Sequence, residues 1–173
     1  MTSQIYTETI PLLKKGLQTL LTILQKAESH AKETNTPAPD LITANLIADM
    51  KPLSFQIIVA IDTSLKLLAR ASFLEPPTTK PPTTTPTFED LTTRLTKTIA
   101  DLENADPALL AANAGKTFKA PMGPNEIEFT PESYAARFAV PNFFFHVVTA
   151  YSILRAKGVP LGKSDYLTGF VSL

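Results

Sequence analysis

Two histidines and no cysteine occur among the 173 residues, so proton transfer or metal ligation near neutral pH has few candidates. His146 stands in the otherwise apolar stretch Phe138-Ala-Val-Pro-Asn-Phe-Phe-Phe-His-Val-Val-Thr-Ala-Tyr. On a helix Asn142, one turn before it, and Thr149, one turn after it, share its face. An imidazole between an amide and a hydroxyl can act as general acid or base while its neighbours orient a carbonyl or enol oxygen; the same neighbours could instead satisfy it as a buried packing residue. Gln56 joins this group because it interrupts an apolar helix between Phe55 and Ile57. A buried amide needs several partners, so Gln56 lines a polar pocket or belongs to a structural network. His30 falls among Glu28, Ser29, Lys32 and Glu33 and is expected in solvent. Asp62 and Lys66, four residues apart, read as a surface ion pair. The absence of cysteine excludes thiolate nucleophiles, disulfide scaffolds and cysteine-containing metal centres. No Gly-x-Ser-x-Gly, His-Glu-x-x-His, Gly-x-Gly-x-x-Gly or phosphate-loop pattern is present, which removes support for serine hydrolases, common zinc proteases and nucleotide folds.

The elements that must position these residues are helical. Ile10, Leu13, Leu17, Leu20, Leu21, Leu24 and Ala27 repeat at three and four residues and predict a first helix over about 4–34, ended by Asn35 and Pro37-Ala38-Pro39. Asp40 can cap a short turn of helix through about Ala48. A second long helix is expected from Asp49, capped by its carboxylate, with Leu53, Ile57, Ile61, Leu65 and Leu68 as its stripe. Residues 76–87 hold five prolines and six threonines and read as a crossover linker, long enough to let the third helix lie parallel to the second. Thr87 and Asp90 form a capping box for that third helix, whose stripe is Phe88, Leu91, Leu95, Ile99 and Leu102. Lys116–Ala120 and Glu126–Phe129 flank a Gly/Pro turn and predict a small β-hairpin leaning on the helices. The last long helix opens at Thr130-Pro131 and closes at Gly158. Pro141 inside it predicts a kink or register change that frees the carbonyl of Arg137. The whole chain, 1–173, is expected to form one domain.

Sixteen basic residues balance sixteen acidic ones, so no net field draws the protein to nucleic acid or an anionic membrane. The first thirty residues lack a continuous apolar core of the kind a secretory signal needs, and no run is long enough to span a bilayer. A soluble, cytoplasmic protein is expected. Phe143, Phe144 and Phe145 point in three successive directions around one helix, which predicts that at least one of them meets something beyond the bundle's own core, the hairpin, the C-terminal tail or another chain, and motivates the expectation of a homodimer.

Ala48-Asp-Met-Lys-Pro-Leu-Ser-Phe-Gln together with Val140-Pro-Asn-Phe-Phe-Phe-His-Val-Val-Thr-Ala-Tyr-Ser-Ile-Leu-Arg and Gly158-Val-Pro-Leu-Gly resembles the domain-of-unknown-function branch of the DinB/YfiT-like proteins, found in bacteria and filamentous fungi. The resemblance runs from Tyr6 to about Leu167. It implies an all-α, four-helix bundle of up-down-down-up topology. It also implies kinship with metal-dependent isomerases and transferases that use low-molecular-weight thiols, and with metalloenzymes of unknown activity. The superfamily's metal site takes one histidine from the second helix and two, four residues apart, from the last. Gln56 stands where the first is expected, Asn142 where the second is and His146 where the third is; the distance from His146 to Gly158 matches the superfamily's spacing. A divalent cofactor such as zinc or nickel, held through His146, is thereby implied. One imidazole and two neutral amides counter it, because they include no anionic or soft donor. The expected function is a small-molecule isomerase or transferase with His146 as catalytic residue and Gln56, Asn142 and Thr149 binding substrate. The alternative is a non-catalytic dimeric bundle that binds an apolar ligand or a partner protein.

Overall fold

The apolar repeat of the first helix becomes the buried side of α1 (Gln4–Glu33), along which Leu13, Leu17, Leu20, Leu24 and Ala27 are almost completely covered. The structure is a computed structural model and describes residues 4–78 and 84–171. A short α2 (Ala38–Ile42) follows, with Pro37 at its N-cap; Asp40 lies inside its first turn and does not cap it. The next helix, α3 (Leu53–Ala71), begins after Pro52 instead of at Asp49. Asp49 lies exposed in the preceding turn. The amide of Leu53 bonds to the carbonyl of Ala44 at 2.9 Å, so the preceding loop satisfies one of the first-turn donors that have no acceptor within the helix. Within the Pro/Thr-rich linker, residues 79–83 lie outside the described residues. The reciprocal Thr87/Asp90 capping box opens α4 (Phe88–Glu103) as expected; the Thr87 N–H and hydroxyl both donate to Asp90 Oδ2, at 2.8 and 2.9 Å, and hold that carboxyl below its ordinary range.

After α5 (Pro107–Ala112) the chain forms the hairpin β1 (Phe118–Met122) and β2 (Asn125–Phe129), with Phe118 opposite Phe129 and Ala120 opposite Ile127. Its strands reach further into the Pro121-Met122 stretch than the sequence implies, leaving Gly123 (φ 63°) and Pro124 as a two-residue turn. A left-handed first turn position is what glycine supplies in such hairpins. Ala120 and Phe129 are buried, and Phe118 meets Tyr134 edge to face, so the hairpin does lean on the helices.

The final helix is not continuous. A capped single turn, α6 (Pro131–Tyr134), runs into a π-helical segment, Ala135–Ala139, and then into α7 (Val140–Ala156). Here is the register change expected at Pro141: the amide of Val140 bonds back five residues to Ala135. In an unbroken α-helix the proline ring would press on the Arg137 carbonyl and leave it without a donor; one wide turn relieves both defects. Gly158 (φ 85°) stops α7, with Val159 N–H bonded to Leu154 and Gly158 N–H to Arg155 in the glycine-terminated pattern. A further helix that the sequence reading did not anticipate, α8 (Lys163–Val171), then lies along α1. It is tied there by Thr19 Oγ1, which donates to the Tyr166 carbonyl, and by the Lys26–Asp165 ion pair at 2.5 Å.

The bundle proper is α1, α3, α4 and α7. Along α8, Asp165 pairs with Lys26 and Gly169 faces Lys15 of α1, while Tyr166 meets Tyr151 and Phe170 meets Phe144 of α7; α8 is antiparallel to both, so α1 and α7 run parallel. Lys14 near the start of α1 pairs with Glu103 at the end of α4, and Gln56 near the start of α3 reaches His146 while Thr63, further along, reaches Asn142. Both pairings are antiparallel, which makes α3 and α4 parallel to each other: the up-down-down-up order. Of the three successive phenylalanines, Phe143 is fully buried, Phe144 packs on Phe170 of α8 at 5.8 Å, and Phe145 remains 58% exposed.

A Cβ on Gly16 would sit 2.7 Å from Cζ of the buried Phe143 ring. Overpacking costs about 1–3 kcal/mol, against roughly 1 kcal/mol of gained helix propensity. Gly16→Ala should therefore lower the thermal midpoint, and adding Phe143→Leu should recover part of the loss. Equal midpoints for wild type and Gly16→Ala would contradict this contact.

Candidate functional site

His146 projects from the middle of α7 into the seam with α3 and is only 8% exposed. Its Nδ1 lies 2.7 Å from Oε1 of Gln56, which is itself buried. The other end of the amide is committed: Gln56 Nε2 donates to the carbonyl of Lys51 at 2.8 Å. That bond fixes which way the amide faces. Oε1 can only accept, so Nδ1 must carry the proton and Nε2 is left with a lone pair. No hydrogen-bond partner for Nε2 is found among the described residues. Burial disfavours the imidazolium and lowers the pKa of His146 from its ordinary 6.5, so at pH 7 the ring is a neutral base. Phe55 (6.1 Å between ring centroids) and Phe145 (5.2 Å) flank the imidazole edge-on, and both are exposed on their outer sides.

Asn142 is on the same face one turn earlier, half-buried, and its Nδ2 donates to Thr63 Oγ1 at 2.9 Å. Thr149 is buried, and its hydroxyl donates to the Phe145 carbonyl one turn back at 2.7 Å; no direct bond to His146 or Gln56 is recorded for it. His30 is half-buried beside Pro160 instead of standing in open solvent. Asp62 and Lys66 do pair, at 2.6 Å. Sequence reasoning missed Thr63 and the pair Arg70–Tyr134. The guanidinium of Arg70 donates to the Tyr134 hydroxyl and lies 4.7 Å from the centre of that ring. A signal existed: Gln56, Thr63 and Arg70 are spaced by seven, so they follow one line along α3, and each meets a polar group of the final helical stretch.

The divalent metal implied by the sequence resemblance can be tested against this donor set. One unprotonated imidazole nitrogen is available. Gln56 and Asn142 offer only neutral amide oxygens, the first of which already accepts the Nδ1 proton, and among the described residues no three His, Cys, Asp or Glu side chains converge. Tightly held transition metals require several such ligands. The residues present do not fit a zinc or nickel centre.

The sequence matches, over residues 5–167, the family described as Domain of unknown function (DUF1993). Its structure is similar to the crystal structure of a DinB family member protein from Shewanella denitrificans, with a TM-score of 0.84 and 32% sequence identity over 94% of this chain and 91% of that one. No curated protein is significantly similar in sequence.

A neutral buried histidine has a thermodynamic signature. The unfolded chain takes up a proton at His146 as pH falls through about 6.5 while the folded chain resists, so the unfolded state binds more protons there. The stabilisation from neutral His146 is complete above that pH and is lost on acidification through 6.5 toward the lowered folded value. Urea unfolding of wild type between pH 7.5 and 5 should show stability declining, and His146→Gln should show a shallower decline. Identical pH slopes would contradict the neutral, buried imidazole.

Proposed function

Because the chain belongs to the DUF1993 family, whose fold here is DinB-like, and its only deeply buried imidazole is poised as a base, we propose that it is a small-molecule isomerase or transferase acting through Nε2 of His146. The observation that carries this reading is the relay from the Lys51 carbonyl through the Gln56 amide to His146 Nδ1. It holds the ring in one tautomer with the free lone pair on the other nitrogen. When Nε2 takes a proton from carbon, hydroxyl or thiol, positive charge develops on the ring. The Nδ1–H···Oε1 bond then becomes charge-assisted and strengthens, so Gln56 favours the protonated intermediate without itself exchanging protons. Asn142 is placed to orient a carbonyl or enol oxygen with whatever hydrogen-bonding capacity Thr63 leaves it. Thr149 keeps acceptor capacity only, because its hydroxyl proton is engaged. A low-molecular-weight thiol cosubstrate suits a chain without cysteine. No metal takes part in this scheme. The whole of residues 1–173 acts as one bundle domain, in the cytoplasm.

A second reading rests on a different observation: Phe145 (58%), Val148 (47%) and Phe55 (39%) expose apolar surface over the same seam. In that reading the chain is a non-catalytic homodimer or ligand carrier, and His146 and Gln56 are buried for specificity of packing.

Enolisable carbonyl compounds, including keto acids and enones offered with and without glutathione, provide the test. In D2O, NMR should show protein-dependent exchange of a carbon-bound proton or addition of the thiol. His146→Gln should reduce it by roughly 10²-fold or more, the usual scale for losing a general base. If no compound is turned over and sedimentation shows a dimer that Phe145→Glu dissociates, the second reading stands and the first fails.

A further inference from the structure

A second concavity lies away from His146. A cleft of about 600 Å³ opens at the other end of α3, against β1. Arg70 and His146's partner Gln56 are separated by about 20 Å along the helix axis at 1.5 Å per residue, so the two places are distinct. Pockets of this volume are in the range that receives small organic ligands.

Two features of the cleft go beyond what packing requires. The first is Arg70, which lines it half-buried. Its guanidinium lies 4.7 Å from the Tyr134 ring centre and 6.0 Å from that of Phe118, and one N–H goes to the Tyr134 hydroxyl. No carboxylate among the described residues pairs with it, whereas Lys66 is held by Asp62 at 2.6 Å and Lys119 by Glu126 at 3.5 Å. An aromatic-clamped guanidinium keeps several donors in a fixed fork suited to an oxyanion.

The second is Phe73. α3 ends with Leu74 N–H bonded to Ala69 and Phe73 N–H to Arg70, the arrangement that places a left-handed residue just past the helix. Glycine is the usual occupant, because a Cβ is disfavoured there; here the residue is phenylalanine at φ 55°. Its ring, 40% exposed, stands edge-on to Phe118 at 6.0 Å and forms a wall of the cleft. A bulky side chain in this conformation is an outlier, and such strain gathers at ligand clamps.

We propose that this cleft is a binding site for a small aromatic carboxylate, its carboxylate on the Arg70 fork and its flat apolar body against Phe73 and Phe118. A monoanion suits the site better than a phosphate ester. Among the described residues that line the cleft, Lys66 and Lys119 each pair with a carboxylate while Arg70 pairs with none, and Glu75 would oppose a second negative charge.

2-Naphthoate and phenyl phosphate, titrated separately into the full-length protein and followed by calorimetry and NMR, test this. Naphthoate should bind saturably with one site per chain, and phenyl phosphate at least tenfold more weakly. Arg70→Lys, which keeps the charge and removes the fork, should weaken naphthoate at least tenfold. Phe73→Gly should do the same while the thermal midpoint holds or rises, since glycine is the unstrained residue at that position. His146→Gln should leave naphthoate affinity unchanged, which separates this site from the one proposed above. Failure of naphthoate to bind at 10 mM, binding untouched by both cleft variants, preference for phenyl phosphate, or binding abolished by His146→Gln would each overturn the proposal.

Discussion

α7 carries more apolar surface than two neighbours can cover, and much of the structure follows from covering it. α3 takes one side and α1 another, where only a glycine at position 16 lets Phe143 come in against the helix backbone. α8 supplies the third cover, stacking Phe170 on Phe144 and lying close enough to α1 that Gly169 faces the Lys15 carbonyl. Without α8, the apolar strip between α1 and α7 would face water. What stays uncovered is the outer side of Phe145 and Val148, beside Phe55.

The same crowding sets the terms for the polar residues. A helix packed on most sides offers little water, so each buried polar group on the α3 seam must find a protein partner. Three polar residues of α3 meet this condition across the seam at successive levels: Gln56 with His146, Thr63 with Asn142, and Arg70 with Tyr134. Arg70 also limits how far burial raises the Tyr134 hydroxyl pKa, since its charge favours the ionised form. The π-helical segment is part of this arrangement. It lies between Tyr134 and Asn142, where Pro141 forbids the ordinary ladder, and it sets the offset at which the two partners meet α3.

The seam thus separates two kinds of chemistry along one helix. At its start a neutral imidazole is held in a single tautomer with little exposure, an environment suited to moving a proton. At its end a permanently charged guanidinium faces a wide cleft, an environment suited to holding an anion. Within DinB-like architecture this chain's donor set departs from the three-imidazole pattern implied by its sequence resemblance, and an amide occupies the position whose partner is His146. A neutral amide oxygen is a much weaker ligand for a transition metal than an imidazole, whereas it accepts the imidazole N–H readily, so the substitution favours tautomer control over coordination.

Much of the architecture was legible from local rules. Stripes at three and four residues located the long helices, the Thr87/Asp90 and Thr130-Pro131 signals marked two starts, Gly158 marked a stop, and Pro141 announced a break in register. The grouping of Gln56 with His146 was also legible, as polar interruptions of apolar helices. The start of α3 was misplaced because the Leu53 amide is satisfied by Ala44, a contact that no local pattern encodes. α8 was missed for a similar reason: its sequence has little amphipathic contrast, and it becomes helical against α1 and α7. Sequence alone determined which segments are helical faces and which few side chains could carry chemistry, because both depend on residue type and spacing within one element. The protonated nitrogen of His146, the engagement of Thr149 with its own helix, and the bonding of Arg70 to the Tyr134 hydroxyl were decided only in the tertiary structure. Each depends on which group from a distant part of the chain arrives within hydrogen-bonding reach.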